Sequence, residues 1–433
     1  MLKRLISLVL VIIITGAVAS FLNAQEGTTV IEWMGWRIEA RTSLLIALGL
    51  ALMIIVVGFD RLVGLIIGLP DRISGRVAAR RQTQGHHALA LGLVAASAGD
   101  GREATRQSKK AKRLLGGNTL TDLLSAQAAG LTGDHAAAAA FFETLSEKRE
   151  TAFFGQAGLM RLYGEEGRHE DALEAGRAAF RLNHNAPQLA KALFALEAQE
   201  ENWDEAILAL NTARHDDELS RDDADHLTAV LYFKKAEHLM AEDATPQDIL
   251  KSLEASLKAD PGFSPAVMAA RPLYHEQNKK KKIAPMIERA LAKTLQPQLV
   301  HTLFEEWTSG KDSGADALAK LIRLIDKHGN DASCLLAAAQ LAKQLELWGE
   351  ALRLITLIPE DARDIKAWQM LADLAEHPPE GDQGEWPQKQ QALIKASEAR
   401  AAKSWTCSTC QTAHHQWQSR CSSCDSFGAV KWQ

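Results

Sequence analysis

The sequence predicts an all-α protein in which a superhelix of stacked helical hairpins follows two N-terminal transmembrane helices and precedes a small C-terminal metal-binding module. Three observations predict this arrangement. Two uncharged apolar runs occur before residue 60, a period of thirty-four residues runs through the middle of the chain, and four of the 5 cysteines lie after residue 404.

The composition is that of a folded protein with two or three domains or one long repeat array. Of the 433 residues, 46% are hydrophobic and 24% are charged, which excludes a wholly disordered chain. So few cysteines exclude a secreted framework held together by disulfides. The net charge of -5 favours no particular class of partner.

Residues 1–70 are predicted to form two transmembrane helices joined by a short periplasmic loop. The first apolar run, Leu5–Leu22, is eighteen residues long and would extend about 27 Å as a helix, close to the thickness of a bilayer core. The second run, Thr42–Phe59, ends before Asp60 and Arg61, which mark the cytoplasmic edge because burying charge in lipid is costly. The alternative for the first run is a cleavable signal peptide, which would leave the second run as the only anchor.

Positive charge is concentrated after the second apolar run. Residues 61–113 contain eleven arginines and lysines, whereas the loop between the two runs contains two. Basic residues stay on the cytoplasmic side, so everything after about residue 62 is predicted to be cytoplasmic. The loop carries "TTVIEWMGWRIEA", an alternation typical of a short β-hairpin. The basic segment is a candidate site for anionic lipid headgroups; the alternative is a topology signal on a solvated helix face.

The region 71–376 repeats with a period of thirty-four residues. Small or apolar residues recur at this interval, with one slip of nine residues after the fourth, at Ala104, Ala138, Ala172, Ala206, Ile249, Ile283, Ala317 and Ala351. This is the length and pattern of the tetratricopeptide (TPR) repeat, a helix–turn–helix unit. A small side chain at the start of the second helix lets the two helix axes approach, which is the physical reason for the pattern.

Stacked hairpins share one continuous core and present an extended surface, which in such arrays grips a peptide or a helix of another protein. The sequence contains no paired carboxylates, no nucleophile–base set and no phosphate-binding loop that stands out. We therefore expect protein partners and no enzymatic activity, with no catalytic residues and no cofactor-binding residues.

Residues 404–433 are predicted to form a tetracysteine zinc ribbon of rubredoxin-like type, after a linker and a short helix at 377–403. The ligands would be Cys407, Cys410, Cys421 and Cys424, two C-x-x-C pairs separated by ten residues. Four thiolates complete the tetrahedron that Zn²⁺ prefers, so the site is expected to be closed and structural. The same ligands suit iron, which stays open. Two disulfides would require an oxidising compartment.

The residues around the cysteine pairs carry further predictions. His414 and His415 are expected to face solvent. Gln411 and Asp425 follow the two pairs, where a glycine with positive φ is usual, so one knuckle is expected to be distorted. Four aromatic residues are expected to pack around the knuckles: Trp405, Trp417, Phe427 and Trp432.

The whole layout resembles the HemY-type N-terminal domain family, inner-membrane TPR proteins of Gram-negative bacteria. The resemblance is carried by "WMGWRIEA", "ALALGLVAASAGDGREA", "LLSAQAAGLTGDHAAAAAFF", "SLKADPGFSPAVMAARPLY" and the ending "WTCSTC…RCSSC…FGAVKW". It implies a multi-pass protein of the bacterial inner membrane, with most of the chain cytoplasmic, and a link to haem and porphyrin biosynthesis. The order of anchor, repeats and tetracysteine module is also similar to that of LapB, the lipopolysaccharide assembly regulator.

The leading hypothesis is a membrane-tethered scaffold or adaptor that recruits protein partners on the cytoplasmic face. One alternative is a tetrapyrrole-handling protein or enzyme, with His86 and His87 as candidate ligands, although adjacent helical residues point in different directions. A further alternative is a regulator of envelope assembly similar to LapB. Nucleic acid is not an expected partner, because the basic residues near the cysteines are too few to bind a phosphate backbone strongly.

Overall fold

The computed structural model of the chain describes residues 27–215, 219–310, 312–376 and 387–433, together with four isolated positions before residue 27. The chain divides into two compact units, Met1–Asp134 and His135–Gln433. The described residues are mostly helical, with two small antiparallel sheets.

The first unit opens with the predicted β-hairpin. Strands β1 (Thr28–Trp33) and β2 (Trp36–Arg41) pair in antiparallel register, with Trp33 opposite Trp36. The two turn residues, Met34 and Gly35, have φ of 48° and 89°. Positive φ at both turn positions matches the right-handed twist of the strands, which is why a glycine is favoured here.

Helix α1 (Thr42–Ser97) follows the hairpin directly and is 56 residues long. Its segment Thr42–Phe59 is long and apolar enough to cross a membrane, and none of this segment is buried inside the protein. Within the described ranges it is the one helix of this kind, whereas two were predicted. The other predicted span, Leu5–Leu22, lies outside the described residues except for isolated positions.

Helices α2 (Gly101–Leu115) and α3 (Thr119–Leu131) complete the first unit and pack against the end of α1. Small residues permit the close approach. A Cβ added to Gly92 of α1 would lie 2.5 Å from Leu124 Cδ2 of α3, well inside van der Waals contact.

The second unit is a series of antiparallel helix pairs. Its helices are α4 (His135–Ser146), α5 (Ala152–Glu165), α6 (His169–Leu182), α7 (Pro187–Gln199), α8 (Trp203–Ala213), α9 (Arg221–Ala241), α10 (Pro246–Ala259), α11 (Ser264–Glu276), α12 (Ile283–Thr294), α13 (Pro297–Thr308), α14 (Gly314–Lys327), α15 (Ala332–Gln344), α16 (Trp348–Thr356), α17 (Ile365–Leu374) and α18 (Lys389–Glu398). Short 3₁₀ turns occur at Lys280–Lys282 and Glu360–Ala362. The predicted linker at 377–386 lies outside the described residues.

The thirty-four-residue period marks the start of a second helix in every repeat. All eight periodic residues are at most 6% exposed. Seven of them are the fourth residue of the second helix of a repeat, as Ala172 is in α6 and Ala317 is in α14. The eighth, Ile283, opens α12 directly after a 3₁₀ turn of three residues. The predicted TPR-like repeats are therefore confirmed at the level of helix packing.

The slip of nine residues corresponds to one long helix. Helix α9 has 21 residues, whereas the neighbouring first helices α7 and α11 have 13 each. The added length at the start of α9 carries Asp223 and Leu227, which contact the C-terminal module.

The C-terminal module is a three-stranded antiparallel sheet with strand order β4-β3-β5. The strands are β3 (Trp405–Cys407), β4 (Ala413–His414) and β5 (Val430–Trp432). Ser404 and Gln433 exchange two backbone hydrogen bonds, at 2.9 and 3.1 Å. These two bonds continue the pairing of β3 with β5 by one residue on each strand.

Candidate metal centre

The four cysteines of the two C-x-x-C pairs come together at one point. Their Sγ atoms all lie within 4.8 Å of one another, with Cys407 and Cys424 at 3.7 Å and Cys410 and Cys421 at 3.5 Å. Four sulfurs at 2.3 Å from a central zinc would form a tetrahedron with edges of about 3.8 Å. The donor set and its spacing therefore fit a tetrahedral metal ion such as zinc.

The two knuckles have equivalent backbone geometry. The amide of Gln411 donates to the carbonyl of Cys407 at 2.9 Å, and the amide of Asp425 donates to the carbonyl of Cys421 at the same distance. Gln411 and Asp425 have φ of 61° and 55°, so both positions are left-handed as a glycine would be. The prediction that one knuckle is distorted is wrong. A hydrogen bond from the Gln411 side chain to the carbonyl of Ser408, 3.2 Å long, holds the first turn.

Hydrogen bonding favours the thiolate form in the first knuckle. The Thr412 hydroxyl, 3.2 Å from Cys410 Sγ, and the Thr412 amide lower the pKa of Cys410 to about 6. The backbone amide of Cys410 lowers the pKa of Cys407 in the same way. The second knuckle repeats the hydroxyl contact, since Ser426 Oγ lies 3.2 Å from Cys424 Sγ. Metals bind thiolates, so the Thr412 contacts favour the form of Cys410 that would bind a cation.

His414 was expected to face solvent, but it is buried. It is 8% exposed, and its Nε2 lies 3.5 Å from Cys421 Sγ. At this distance the ring nitrogen and the sulfur can share a hydrogen bond, a supporting contact of a kind that is common around metal sites. His415 is exposed, as predicted. Sequence reasoning missed His414 because a polar residue in a short loop gives no local signal of burial.

The four aromatic residues divide between the module and the helical repeats, and Trp417 contacts both. Trp405 and Trp432 lie opposite each other on β3 and β5, with ring centroids 5.6 Å apart, as predicted. Trp417 inserts between Phe233 and Phe263 of the helical repeats, at centroid distances of 5.2 and 5.1 Å. Trp417 also packs against the buried cluster that contains the knuckle cysteines, so the prediction for this residue is confirmed.

The Phe427 ring packs on the helical repeats, and not around the knuckles as predicted. The ring stacks on Trp203 at 6.3 Å and meets the edge of Phe194 at 6.1 Å. The Arg420 guanidinium lies 5.5 Å from the Phe427 ring and donates to the carbonyl of Ala198 at 3.0 Å. That carbonyl is in the last turn of α7, where a cation is favoured by unpaired backbone carbonyls.

Polar contacts fix the register of the module on the helices. Lys431 Nζ lies 2.5 Å from Asp223 of α9 and lowers the pKa of that carboxyl. Lys403 Nζ lies 2.8 Å from Asp331 at the start of α15. At Gly428, whose φ is 65°, an added Cβ would lie 2.4 Å from a methyl group of Leu227. The module is therefore docked in one defined position.

Other clusters of charged residues link neighbouring helices. Arg177 holds the buried carboxylate of Glu197 through two hydrogen bonds of 2.7 Å. Asp260 accepts hydrogen bonds from His226 at 3.2 Å and Lys293 at 3.0 Å. Burial alone would raise the pKa of Asp260, but these hydrogen bonds outweigh it and lower the value to about 2. Such pairs connect one repeat to the next.

The fifth cysteine, Cys334, and the candidate haem ligands His86 and His87 are not members of the four-cysteine cluster. Cys334 is buried in α15, and burial raises the pKa of its thiol to about 12, so it is an inert core residue. His86 and His87 are both exposed on α1. His86 lines a cavity of about 500 Å³ together with Arg81 and Leu114, whereas His87 does not line it. The two histidines do not converge on one ligand position.

Comparison with solved structures returns repeat proteins at low similarity. A tetratricopeptide repeat protein from Parabacteroides merdae is 12% identical, with 73% of this chain and 99% of that chain covered and a TM-score of 0.30. The TPR2AB domain of yeast Sti1, solved as a complex with pHSP90, is 14% identical over 73% and 99%, with a TM-score of 0.28. The MamA protein is 16% identical over 48% and 90%, with a TM-score of 0.23.

Comparison with known sequences gives two further similarities. A probable magnetosome protein, Mms48 of Magnetospirillum gryphiswaldense, is 22% identical over 448 residues, which cover 100% of this chain and 94% of the relative. Residues 27–133 match the family model described as the HemY protein N-terminus. This segment spans the β-hairpin and helices α1 to α3. The expected resemblance to this family is confirmed over residues 27–133.

Proposed function

We propose that this protein is a scaffold or adaptor of the bacterial inner membrane that recruits protein partners on the cytoplasmic face through its TPR-like repeats. The observation that carries the proposal is the burial of all eight periodic residues at the starts of second helices. Repeats of this kind bury their shared core and leave a long surface for other proteins. The charged clusters of the second unit bridge helices, which is a structural role and not a catalytic one.

The membrane attachment rests on helix α1. Its segment Thr42–Phe59 has the length of one bilayer crossing and keeps its apolar side chains outside the protein core. The excess of basic residues after this segment favours a cytoplasmic position for the repeats. On α2, Arg106, Lys109, Lys110 and Arg113 line one shallow cavity, which supports contact with anionic lipid headgroups. The proposed domains are 1–70, 71–376, 377–403 and 404–433.

The proposed metal is a structural Zn²⁺ held by the four clustered cysteines. Its role would be to supply the folding energy that a module of this size lacks. All four coordination positions are then taken by sulfur, so no position remains for a catalytic water. The HemY-type N-terminal domain makes haem and porphyrin biosynthesis the first pathway in which to seek the partners.

The scaffold proposal is tested by photo-crosslinking the full chain in native membranes. A photoreactive amino acid replaces Phe154, which is 54% exposed on α5, the first helix of a repeat. The matched control replaces Leu208, which is 58% exposed on α8, a second helix. We expect a discrete crosslinked protein from position 154 and none from position 208. Absence of any crosslinked protein at both positions would contradict the proposal.

A further inference from the structure

We propose that helices α7, α8 and α9 and the start of α11 form a protein-docking surface that the chain occupies with its own C-terminal module, and that occupancy requires metal at the four cysteines. The docking surface consists of Phe194, Trp203, Leu227, Val230, Phe233 and Phe263. The inference rests on the proposed scaffold function and on the proposed metal. It specifies where on the repeats a partner would bind and what controls the access of the partner to this surface.

The docking surface has the chemistry of a binding site. Its aromatic rings receive Trp417 and Phe427 in edge-to-face and stacked contacts between 5.1 and 6.3 Å. Aromatic anchors of this kind, seated among aromatic neighbours with an arginine beside them, carry much of the affinity in protein interfaces. The polar contacts of Arg420 and Lys431 fix the orientation of the module on this apolar surface.

The structure also indicates what the docking surface recognises. Phe427 fills the aromatic part, and Gly428 follows it where Leu227 leaves no space for a side chain. Lys431 then reaches the carboxylate of Asp223. A partner that binds here would present an aromatic residue with a small neighbour and a nearby cation, and it would compete with the module.

Metal dependence follows from the place of the anchors in the chain. Trp417 lies four residues before Cys421, and Phe427 lies three residues after Cys424. The buried core of the module consists of Cys407, Cys421, Ala429 and Val430, so two of its four members are themselves metal ligands. Without metal the segment loses its fold, and the two anchors no longer have a fixed separation. Each would then have to bind the docking surface from a disordered chain.

Release of the module would uncover the aromatic side chains of the repeats that Phe427 and Trp417 contact. Trp203, Phe233 and Phe263 are each buried while the module is docked. Exposed apolar patches of this type mark sites of protein–protein contact. Metal loading would thus decide whether this part of the array binds its own module or another protein.

Hydroxyl-radical footprinting of the purified full chain tests the inference, because it reads the accessibility of individual aromatic side chains. The chain is compared with zinc bound and after removal of zinc by a chelator. We expect modification of Trp203, Phe233 and Phe263 to rise at least threefold on zinc removal and to return when zinc is restored. Phe142 and Phe180 are buried elsewhere in the repeats and serve as internal controls that should not change.

A variant with intact cysteines separates docking from folding. Phe427→Ala keeps all four ligands and should still bind zinc, as measured by elemental analysis, while Trp203 becomes accessible. Ile394→Ala, at an exposed position on α18, is the matched control and should leave Trp203 protected.

Unchanged protection of Trp203 in both the metal-free chain and the Phe427→Ala variant would overturn the inference. So would protection that depends on protein concentration, since a second copy would then supply the module. Neither result bears on crosslinking at position 154, which tests the scaffold proposal separately.

Discussion

The helical repeats and the C-terminal module are stabilised by different means, although they lie in one compact unit. In the repeats one hydrophobic cluster runs from Ala229 to Ala396 and draws on many helices, so each residue contributes a small part of the total. In the module the buried cluster has four members, two of which are cysteines of the proposed metal site. Single substitutions in the core of the repeats should therefore lower stability by varying amounts. Loss of one cysteine ligand from the proposed metal site should instead unfold nearly the whole module.

The largest effect is expected from Cys421→Ser. Loss of one thiolate should abolish zinc binding and with it the fold of residues 404–433, because structural zinc sites contribute about 10–16 kcal/mol of apparent binding energy. Elemental analysis should show zinc falling from one atom per chain to none, while the helical circular dichroism signal persists.

Cys334→Ser is the control for that variant. Cys334 is also buried, but it lies in α15 and outside the four-cysteine cluster. Its replacement should leave one zinc per chain. Full zinc content in the Cys421→Ser variant would show that the cluster is not the metal site.

A cavity in the repeats should have a smaller effect that leaves the metal in place. Leu303 is fully buried in α13, so Leu303→Ala should lower the free energy of unfolding by about 2–5 kcal/mol. Zinc content should stay at one atom per chain. The exposed Leu208→Ala should change stability by less than about 0.5 kcal/mol. Urea unfolding followed by circular dichroism measures both, and equal losses would contradict the assignment of the core.

The ion pairs between repeats should give a still smaller, pH-dependent effect. The folded pKa of Asp260, about 2, lies below that of an unfolded aspartate, so its contribution is complete above about pH 4 and is lost as the pH falls from about 4 to 2. Asp260→Asn should therefore cost about 2 kcal/mol at pH 7 and flatten the acid limb of the stability profile. Asp361→Asn, at an exposed position, should do neither. An unchanged acid limb in Asp260→Asn would show that the His226 and Lys293 contacts are not stabilising.

The repeats could be predicted from the sequence because their requirement is local and periodic. Most second helices have a small or compact buried side chain at their fourth position. Residues such as Ala172 and Ala206 therefore recur every thirty-four positions in the sequence. The β-hairpin was equally local, since alternation and a Met-Gly turn lie in one short stretch. The cysteine cluster could be predicted because the type and the spacing of the residues are enough to indicate a tetrahedral metal site.

The docking of the module could not be predicted in this way. Phe427 and its partner Phe194 are 233 positions apart, and neither lies in a periodic pattern that points to the other. Trp417 packs near the knuckles as its sequence position predicts, but nothing in the sequence indicates its contacts with Phe233 and Phe263. The one available signal was the slip of nine residues, which lengthens α9 and brings Asp223 and Leu227 to the module.

Hydrogen exchange of the full chain, measured with zinc bound and after its removal, tests the contrast between the two regions most directly. We predict that amides in residues 404–433 lose nearly all protection without zinc, while those of the buried face of α14 keep theirs. Retained protection in the module without metal, or simultaneous loss of protection in α14, would contradict the account.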